Sequence, residues 1–234
     1  MSFIWNNLLK RGYQKLTCSY YSITYSQTGE DQIVELFIEA KGIKEFTYLD
    51  IGANHPTRFN NTYKFYEQGF RGVCVEADYL IFETLSKKRK GDVCLNIGIG
   101  PEPIEKRDFF IMNNSLLNTF SREEAELIEK NGQGRILKII QVPVKTAAQI
   151  IETHFDGKAP VFINLDVEGL DEEILKTFPF EKYRPSIFCI ETVHFTINAS
   201  SEKRTVIMDL MKSQRYKVFA DTYINTIFID ADKY

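Results

Sequence analysis

Residues 46–56, FTYLDIGANHP, constrain the fold more than any other stretch of this chain. An apolar run ends in an acidic residue and passes directly into a glycine-containing turn. That is the grammar of a buried strand whose carboxyl end opens on a crevice, the place where nucleotide-type ligands dock in open α/β sheets. Residues 161–175, VFINLDVEGLDEEIL, repeat the pattern: apolar strand, acidic tip, glycine, then a helix. Two such tips in one sheet face one crevice.

The remaining elements follow from periodicity and punctuation. Residues 29–41 set Ile33, Leu36, Phe37 and Ala40 on one helical face, with Gly42 as a left-handed cap. Strands at 46–51, 72–76 and 92–97 alternate with helices near 61–68 and 79–89, which predicts a parallel sheet with right-handed crossovers. Residues 108–112 and 136–144 read as added strands. Ser121 to Glu124 reads as a capping box opening a helix to about Lys130, and Thr146 caps a helix over 147–154. After strand 161–166 and helix 171–177 come strand 186–191 and a helix near 202–214. The chain closes on 216–220 and 226–229 around a polar turn, the pattern of a β-hairpin.

Five segments in chain order carry a resemblance: SQTGED (26–31), DIGAN (50–54), VEAD (75–78), DVEG (166–169) and ETVH (191–194). From about residue 25 to 229 the chain resembles the FkbM family of S-adenosylmethionine-dependent methyltransferases. The resemblance implies a doubly wound α/β fold with a mostly parallel, seven-stranded, Rossmann-like sheet in the order 3-2-1-4-5-7-6, ending in an antiparallel hairpin. It also implies methylation of a hydroxyl, either on a sugar of a bacterial surface polysaccharide or glycoconjugate or on a macrolide-like natural product. A catalytically silent, cofactor-binding subunit is a third reading. A nicotinamide-dependent oxidoreductase fits poorly, because residues 50–54 lack the three-glycine spacing that seats a pyrophosphate on a helix amino terminus.

The length of 234 residues suits one α/β domain at 29–234 preceded by an N-terminal helical extension at 1–28. A net charge of −3 offers no basic footprint, which argues against nucleic acid as a partner. The basic run 87–90 follows a helical pattern and reads as cations at a helix carboxyl end. The four cysteines form no C-x-x-C pair, and Cys74, Cys94 and Cys189 sit in apolar strand runs, so a reducing, cytoplasmic setting is expected. Residues 1–9 are too short an apolar stretch to span a bilayer; they suit packing on the parent domain, with peripheral membrane contact or an oligomer contact as alternatives.

Within the resemblance, Asp50, Gly52 and Asn54 line the methionine end of the cofactor, the carboxylate of Asp50 suiting its ammonium group. Glu76 closes the second strand, where an acidic side chain accepts hydrogen bonds from ribose hydroxyls. Asn96 ends the third strand and either faces the adenine or initiates a turn. Gln27, Glu30 and Asp31 lie in the element that the family places over the cofactor pocket, although Glu30 and Asp31 also suit the first turn of a helix. Asp78 reads as a helix N-cap. Asp166, Glu168, Glu191 and His194 converge on the acceptor side. His194, Asp166 and Glu191 are the catalytic candidates, with His194 the first choice of base because imidazole titrates nearest neutrality. Asp166 and Glu191 are alternatively oxygen ligands for Mg or Mn. His55 is either a contact to cofactor or acceptor or a satisfied turn histidine.

Overall fold

The computed structural model describes residues 22–167, 169–193 and 205–234. In chain order the elements are α1 (Glu30–Lys41), β1 (Thr47–Ile51), α2 (Tyr63–Glu67), β2 (Arg71–Val75), α3 (Tyr79–Lys88), β3 (Val93–Leu95), β4 (Gly98–Ile99) and β5 (Ile104–Met112). A 3₁₀ turn (Ser115–Leu117) and α4 (Arg122–Lys130) lead into β6 (Ile136–Lys145). Then follow α5 (Ala147–His154), β7 (Phe162–Leu165), α6 (Asp171–Thr177), β8 (Ile187–Glu191), α7 (Thr205–Ser213), β9 (Tyr216–Asp221) and β10 (Asn225–Asp230).

The main sheet has seven strands in the order β3-β2-β1-β7-β8-β10-β9. Counted along this sheet alone, that is 3-2-1-4-5-7-6, the order the resemblance implied. β1 pairs in parallel with both β2 and β7, and the antiparallel β9–β10 hairpin closes the edge. β7 and β8 are buried along their whole length, as strands covered on both faces must be. Alternate residues of β1 divide between the two sides. Leu49 and Ile51 join a core with Ile150, Ile174 and Ile207 of α5, α6 and α7, whereas Tyr48 joins Val34, Phe37 and Phe65 of α1 and α2. Helices therefore cover both faces, which makes the fold doubly wound.

Between β3 and β7 the chain builds a second, three-stranded sheet in the order β4-β6-β5. The added strands expected at 108–112 and 136–144 are both in it, longer than anticipated and paired antiparallel. This sheet and α4 stand over one side of the main sheet and form a wall of the crevice described below.

Two local readings are corrected, and a third is extended. The buried face of α1 is Glu30, Asp31, Val34, Phe37 and Ile38, while Leu36 is 62% exposed. Burial of two hydrogen-bonded carboxylates turns the helix away from the face that hydropathy alone selects. The capping box at α4 is half formed: Ser121 Oγ accepts the Glu124 amide at 3.2 Å, but the Glu124 carboxylate is taken by Thr119 Oγ1 at 2.8 Å. The full reciprocal box occurs at α5, between Thr146 and Gln149. Arg89, read with its neighbours as a cation at the carboxyl end of a helix, does cap that helix, but it is also fully buried and pairs with Asp92 at 2.8 Å.

Residues 22–28 lie against the domain: Tyr25 packs edge-on to Tyr63 at 4.8 Å and its carbonyl accepts the Asn60 amide. No helix among the described residues is long and apolar enough to cross a membrane. Cys74, Cys94 and Cys189 are free thiols.

Candidate active site

At the carboxyl ends of β1, β2, β7 and β8 lies a crevice of about 1290 Å³. The turn after β1 forms its floor. Gly52 has φ +79, and a Cβ placed there would stand 1.8 Å from the carbonyl oxygen of Asp166. Only glycine lets the end of β7 close against this turn. The contact is clamped by backbone hydrogen bonds: the amides of Gly52 and Ala53 donate to Val75 O, and the Asp166 amide donates to Ile51 O. Asn54 follows in the left-handed region at φ 46, a conformation that Asn tolerates better than most residues.

Glu76 lies at the tip of β2, 7% exposed, and lines the crevice. Its Oε2 accepts the Asn54 amide at 2.9 Å and its Oε1 the Asp78 amide at 2.7 Å. Burial pushes its pKa up to about 7, against the pull of those two amides. Each oxygen keeps acceptor capacity beyond its one amide, which suits a pair of ligand hydroxyls. Asp78 caps α3, accepting the Leu80 amide at 2.8 Å. Asn96 is engaged with the turn: its Nδ2 donates to the carbonyls of Glu76 and Ala77 at 2.9 and 3.0 Å, so it supports Glu76 from behind.

Asp50 is completely buried at the centre of a polar network. Its Oδ2 accepts Thr62 Oγ1 at 2.6 Å, and its Oδ1 accepts Asn164 Nδ2 at 2.9 Å. Burial raises its pKa; hydrogen bonds from Thr62 and Asn164 and the charge of Arg89 oppose the rise without cancelling it. Arg89 donates to Thr62 Oγ1, Asn60 Oδ1 and Tyr48 Oη from below. Asn60, Asn61 and Thr62 went unnoticed in the sequence. They follow the glycine turn without apolar periodicity, and only their density of amide and hydroxyl groups marks them.

Asp166 and Glu191 line the crevice at the tips of the adjacent parallel strands β7 and β8, with Glu191 only 3% exposed. Gln27 also lines it. Asp31 does not: it is buried and accepts Thr24 Oγ1, Ser26 Oγ and the Tyr25 amide, which fixes the loop that carries Gln27. Glu30 ties this loop to the far end of the chain through Thr222 Oγ1 and Asn225 Nδ2. His55 lines the crevice mouth with Nδ1 accepting the amides of Thr57 and Arg58 at 3.2 and 3.0 Å. A neutral His55 so bonded carries its proton on Nε2 and presents a donor, which does not suit a general base. His194 and Glu168 lie outside the described residues. Among the described residues no group of three or more His, Cys, Asp or Glu side chains is placed to hold a metal ion.

The site as built has two acidic strand tips flanking a glycine turn, with a third and fourth acidic tip beside them. Residues 50–218 match the family model described as the methyltransferase FkbM domain. The chain belongs to the FkbM family of S-adenosylmethionine-dependent methyltransferases. No curated protein sequence matches the chain. Among solved structures, a TehB-like S-adenosylmethionine-dependent methyltransferase from Corynebacterium glutamicum is 8% identical, with 96% of this chain and 97% of that one covered and a TM-score of 0.44. An O-methyltransferase from Bacillus cereus in complex with SAH is 11% identical over 97% and 90%, with a TM-score of 0.42. The fibrillarin pre-rRNA processing protein of Methanococcus jannaschii is 10% identical over 80% and 67%, at 0.44. At such identities and scores these similarities bear on neither substrate nor chemistry. In the FkbM methyltransferase the residues at the crevice fit a nucleoside-linked amino acid: Glu76 for vicinal hydroxyls, a floor of bare backbone at Gly52, and an unpartnered buried carbonyl at Asn61.

Proposed function

We propose that the protein transfers a methyl group from S-adenosylmethionine to a hydroxyl, most directly one on a sugar of a bacterial surface polysaccharide or glycoconjugate. The observation that carries this reading is the convergence of Glu76, the Gly52 turn and the Asp166 and Glu191 tips on one crevice. When bound, the cofactor supplies an electrophilic methyl on a sulfonium, so the protein need only align the acceptor oxygen and remove one proton. Glu76 holds the ribose hydroxyls, and Asn54 and Asn96 hold Glu76. Asp50 and Gly52 shape the methionine end, and Gln27, positioned by Asp31, stands over it. Asp166 borders both cofactor and acceptor.

Deprotonation of the acceptor falls to Asp166, Glu191 and His194, with His194 the first choice of base. In the alternative, Asp166 and Glu191 would hold Mg or Mn, which would supply a Lewis acid for the acceptor hydroxyl. Chelator-sensitive turnover restored by either ion supports the second version. Metal-independent turnover that falls by roughly a hundredfold or more in His194→Ala supports the first. Full activity in Asp166→Ala, Glu191→Ala and His194→Ala alike removes both.

A second acceptor class is favoured by the wall that Leu80 and Ile81 of α3, Leu116 of the 3₁₀ turn and Leu127 of α4 present to the crevice. Leu80 and Leu127 are 72% and 56% exposed. Such a wall suits an acceptor with an apolar body, as a macrolide-like hydroxyl would have, better than a free sugar. A screen of nucleotide sugars, lipid-linked glycans and macrolides with labelled methyl donor separates the two classes. Binding of SAH without labelling of any acceptor supports a silent subunit. The reading is completed by a cytoplasmic setting, one catalytic domain at 29–234 with an extension at 1–28, and no role for nucleic acid.

A further inference from the structure

Among the described residues one side-chain oxygen or nitrogen is buried without a hydrogen-bond partner: Oδ1 of Asn61. Asn61 is 6% exposed and lines the crevice. An orphaned acceptor at such a place is costly unless a ligand supplies the donor.

The orientation of this amide is dictated from a distance. Arg89 can only donate, and it donates to Thr62 Oγ1. Of the two acceptors in reach of the single hydroxyl proton of Thr62, Asp50 Oδ2 at 2.6 Å is the nearer and the charged one, Asn60 Oδ1 lying at 3.1 Å. Asp50 acts as acceptor again at Oδ1, where Asn164 must offer its Nδ2. That leaves Asn164 Oδ1 facing Asn61, which offers Nδ2 at 2.8 Å. The remaining atom of Asn61, its carbonyl oxygen, is therefore the acceptor left without a donor from the protein, in a residue that lines the crevice. Flipping Asn61 would set two carbonyl oxygens against each other.

We propose that Asn61 Oδ1 is the acceptor that recognises the α-ammonium of the methyl donor, an assignment that rests on the reading above. Two observations choose an ammonium over a neutral hydroxyl. Asn61 bridges toward β7 and β8, contacting Asn164 and Cys189, on the side of β1 away from Glu76. A ligand whose diol is held at Glu76 extends its amino-acid end over that side. The crevice is also bordered there by Asp50, Asp166 and Glu191, whose combined charge attracts a cation to the neighbourhood of the bare carbonyl. Asp50 itself is committed to Thr62 and Asn164, so its part is to orient and to attract.

Calorimetry with three probes tests the assignment: SAH, a deamino analogue in which hydrogen replaces the ammonium, and 5′-methylthioadenosine, which lacks the whole amino-acid end. The wild-type protein should prefer SAH to the deamino analogue by about tenfold or more, since a charge-assisted bond is lost. Asn61→Ala should erase most of that preference while leaving affinity for 5′-methylthioadenosine unchanged. Asn61→Leu, close to asparagine in volume but without an acceptor, should do the same and serves if the alanine variant fails to fold. Equal wild-type affinity for SAH and the deamino analogue overturns the assignment without any variant. An undiminished preference in a folded Asn61 variant overturns it as well. Wild-type protein that binds none of the three probes overturns the methyl-donor reading and this assignment with it.

Discussion

At the scale of single residues, the ribose role proposed for Glu76 would couple its protonation to binding as well as to folding. Its folded pKa is raised by burial to about 7, above the ordinary range near 4.3–4.5 of an unfolded chain. The group's contribution to stability is therefore fully present below the unfolded pKa and is lost as pH rises through 7. Ribose hydroxyls donate to the charged carboxylate and so favour the opposite form. SAH affinity should rise between about pH 6 and 8 with uptake of the ligand coupled to proton release, and Glu76→Gln should flatten that rise. Calorimetry in buffers of different ionisation enthalpy reads the proton directly; no release would place the hydroxyls elsewhere. Gly52 makes a second residue-scale case. Gly52→Ala must displace the Asp166 carbonyl at a positive φ, and a loss of more than about 2 kcal/mol in urea unfolding is expected, with loss of SAH binding. Normal binding would show that the β1 turn is not the floor of the cofactor site.

At the scale of elements, Arg89 joins the end of α3 to β1 and to the loop before α2. Its guanidinium bonds to Asp92, Tyr48, Asn60 and Thr62 and stacks over Tyr66 at 4.8 Å. Arg89→Leu leaves the Asp92 carboxylate, a side chain fully buried in a partly exposed residue, without its counter-charge and should cost about 3–5 kcal/mol in denaturant unfolding. A loss within 1 kcal/mol of that at an exposed control such as Lys87→Leu would refute the role. This element also shows how far the sequence could be read. The succession of strands and helices along the chain and the acidic tips were legible because buried parallel strands write themselves as apolar runs ending in acid and glycine, whereas the order of the strands in the sheet followed from the family resemblance. Arg89 was not, because a buried, paired cation and a solvated one look alike in sequence until Asp92 is known to be its partner. The α1 face was misjudged for the same reason: Glu30 and Asp31 are buried by hydrogen bonds that hydropathy does not register. Within the site, the acidic residues and Gly52 carried a recognisable pattern, whereas Asn61 acquires meaning only through Arg89, Thr62, Asp50 and Asn164.

At the scale of the whole molecule, the first described helix is bound to the last strand. Glu30 accepts Thr222 Oγ1 at 2.7 Å and Asn225 Nδ2 at 2.9 Å, joining positions 192 and 195 residues apart. Burial alone would raise its pKa, but its hydrogen bonds from Thr28, Asn225 and Thr222 prevail and hold it below the usual glutamate range. Its contribution is then present above the unfolded pKa and lost as pH falls through the folded one. Glu30→Gln should reduce stability at pH 7 by about 1.5–3 kcal/mol, and the gap to wild type should narrow in acid below about pH 4.5. Parallel urea titrations at pH 7 and pH 4 check this; a gap that widens in acid would contradict it.

The three-stranded sheet has a consequence for how such proteins diversify. Its first and last strands run side by side in the same direction, with Gly98 opposite Val144 and Ile99 opposite Lys145. The chain thus leaves the central scaffold and comes back to it at neighbouring points, one strand spacing of about 4.8 Å apart. Everything between is a closed excursion, anchored to the central strands by Phe109, Phe120 and Val142, which share a core with Leu49 and Ile51, so its tips can change in length and composition more freely than these anchors. Since the excursion carries Leu116 and Leu127, exchanging it between relatives would recut the shape of the crevice while leaving the glycine turn and its acidic neighbours in register.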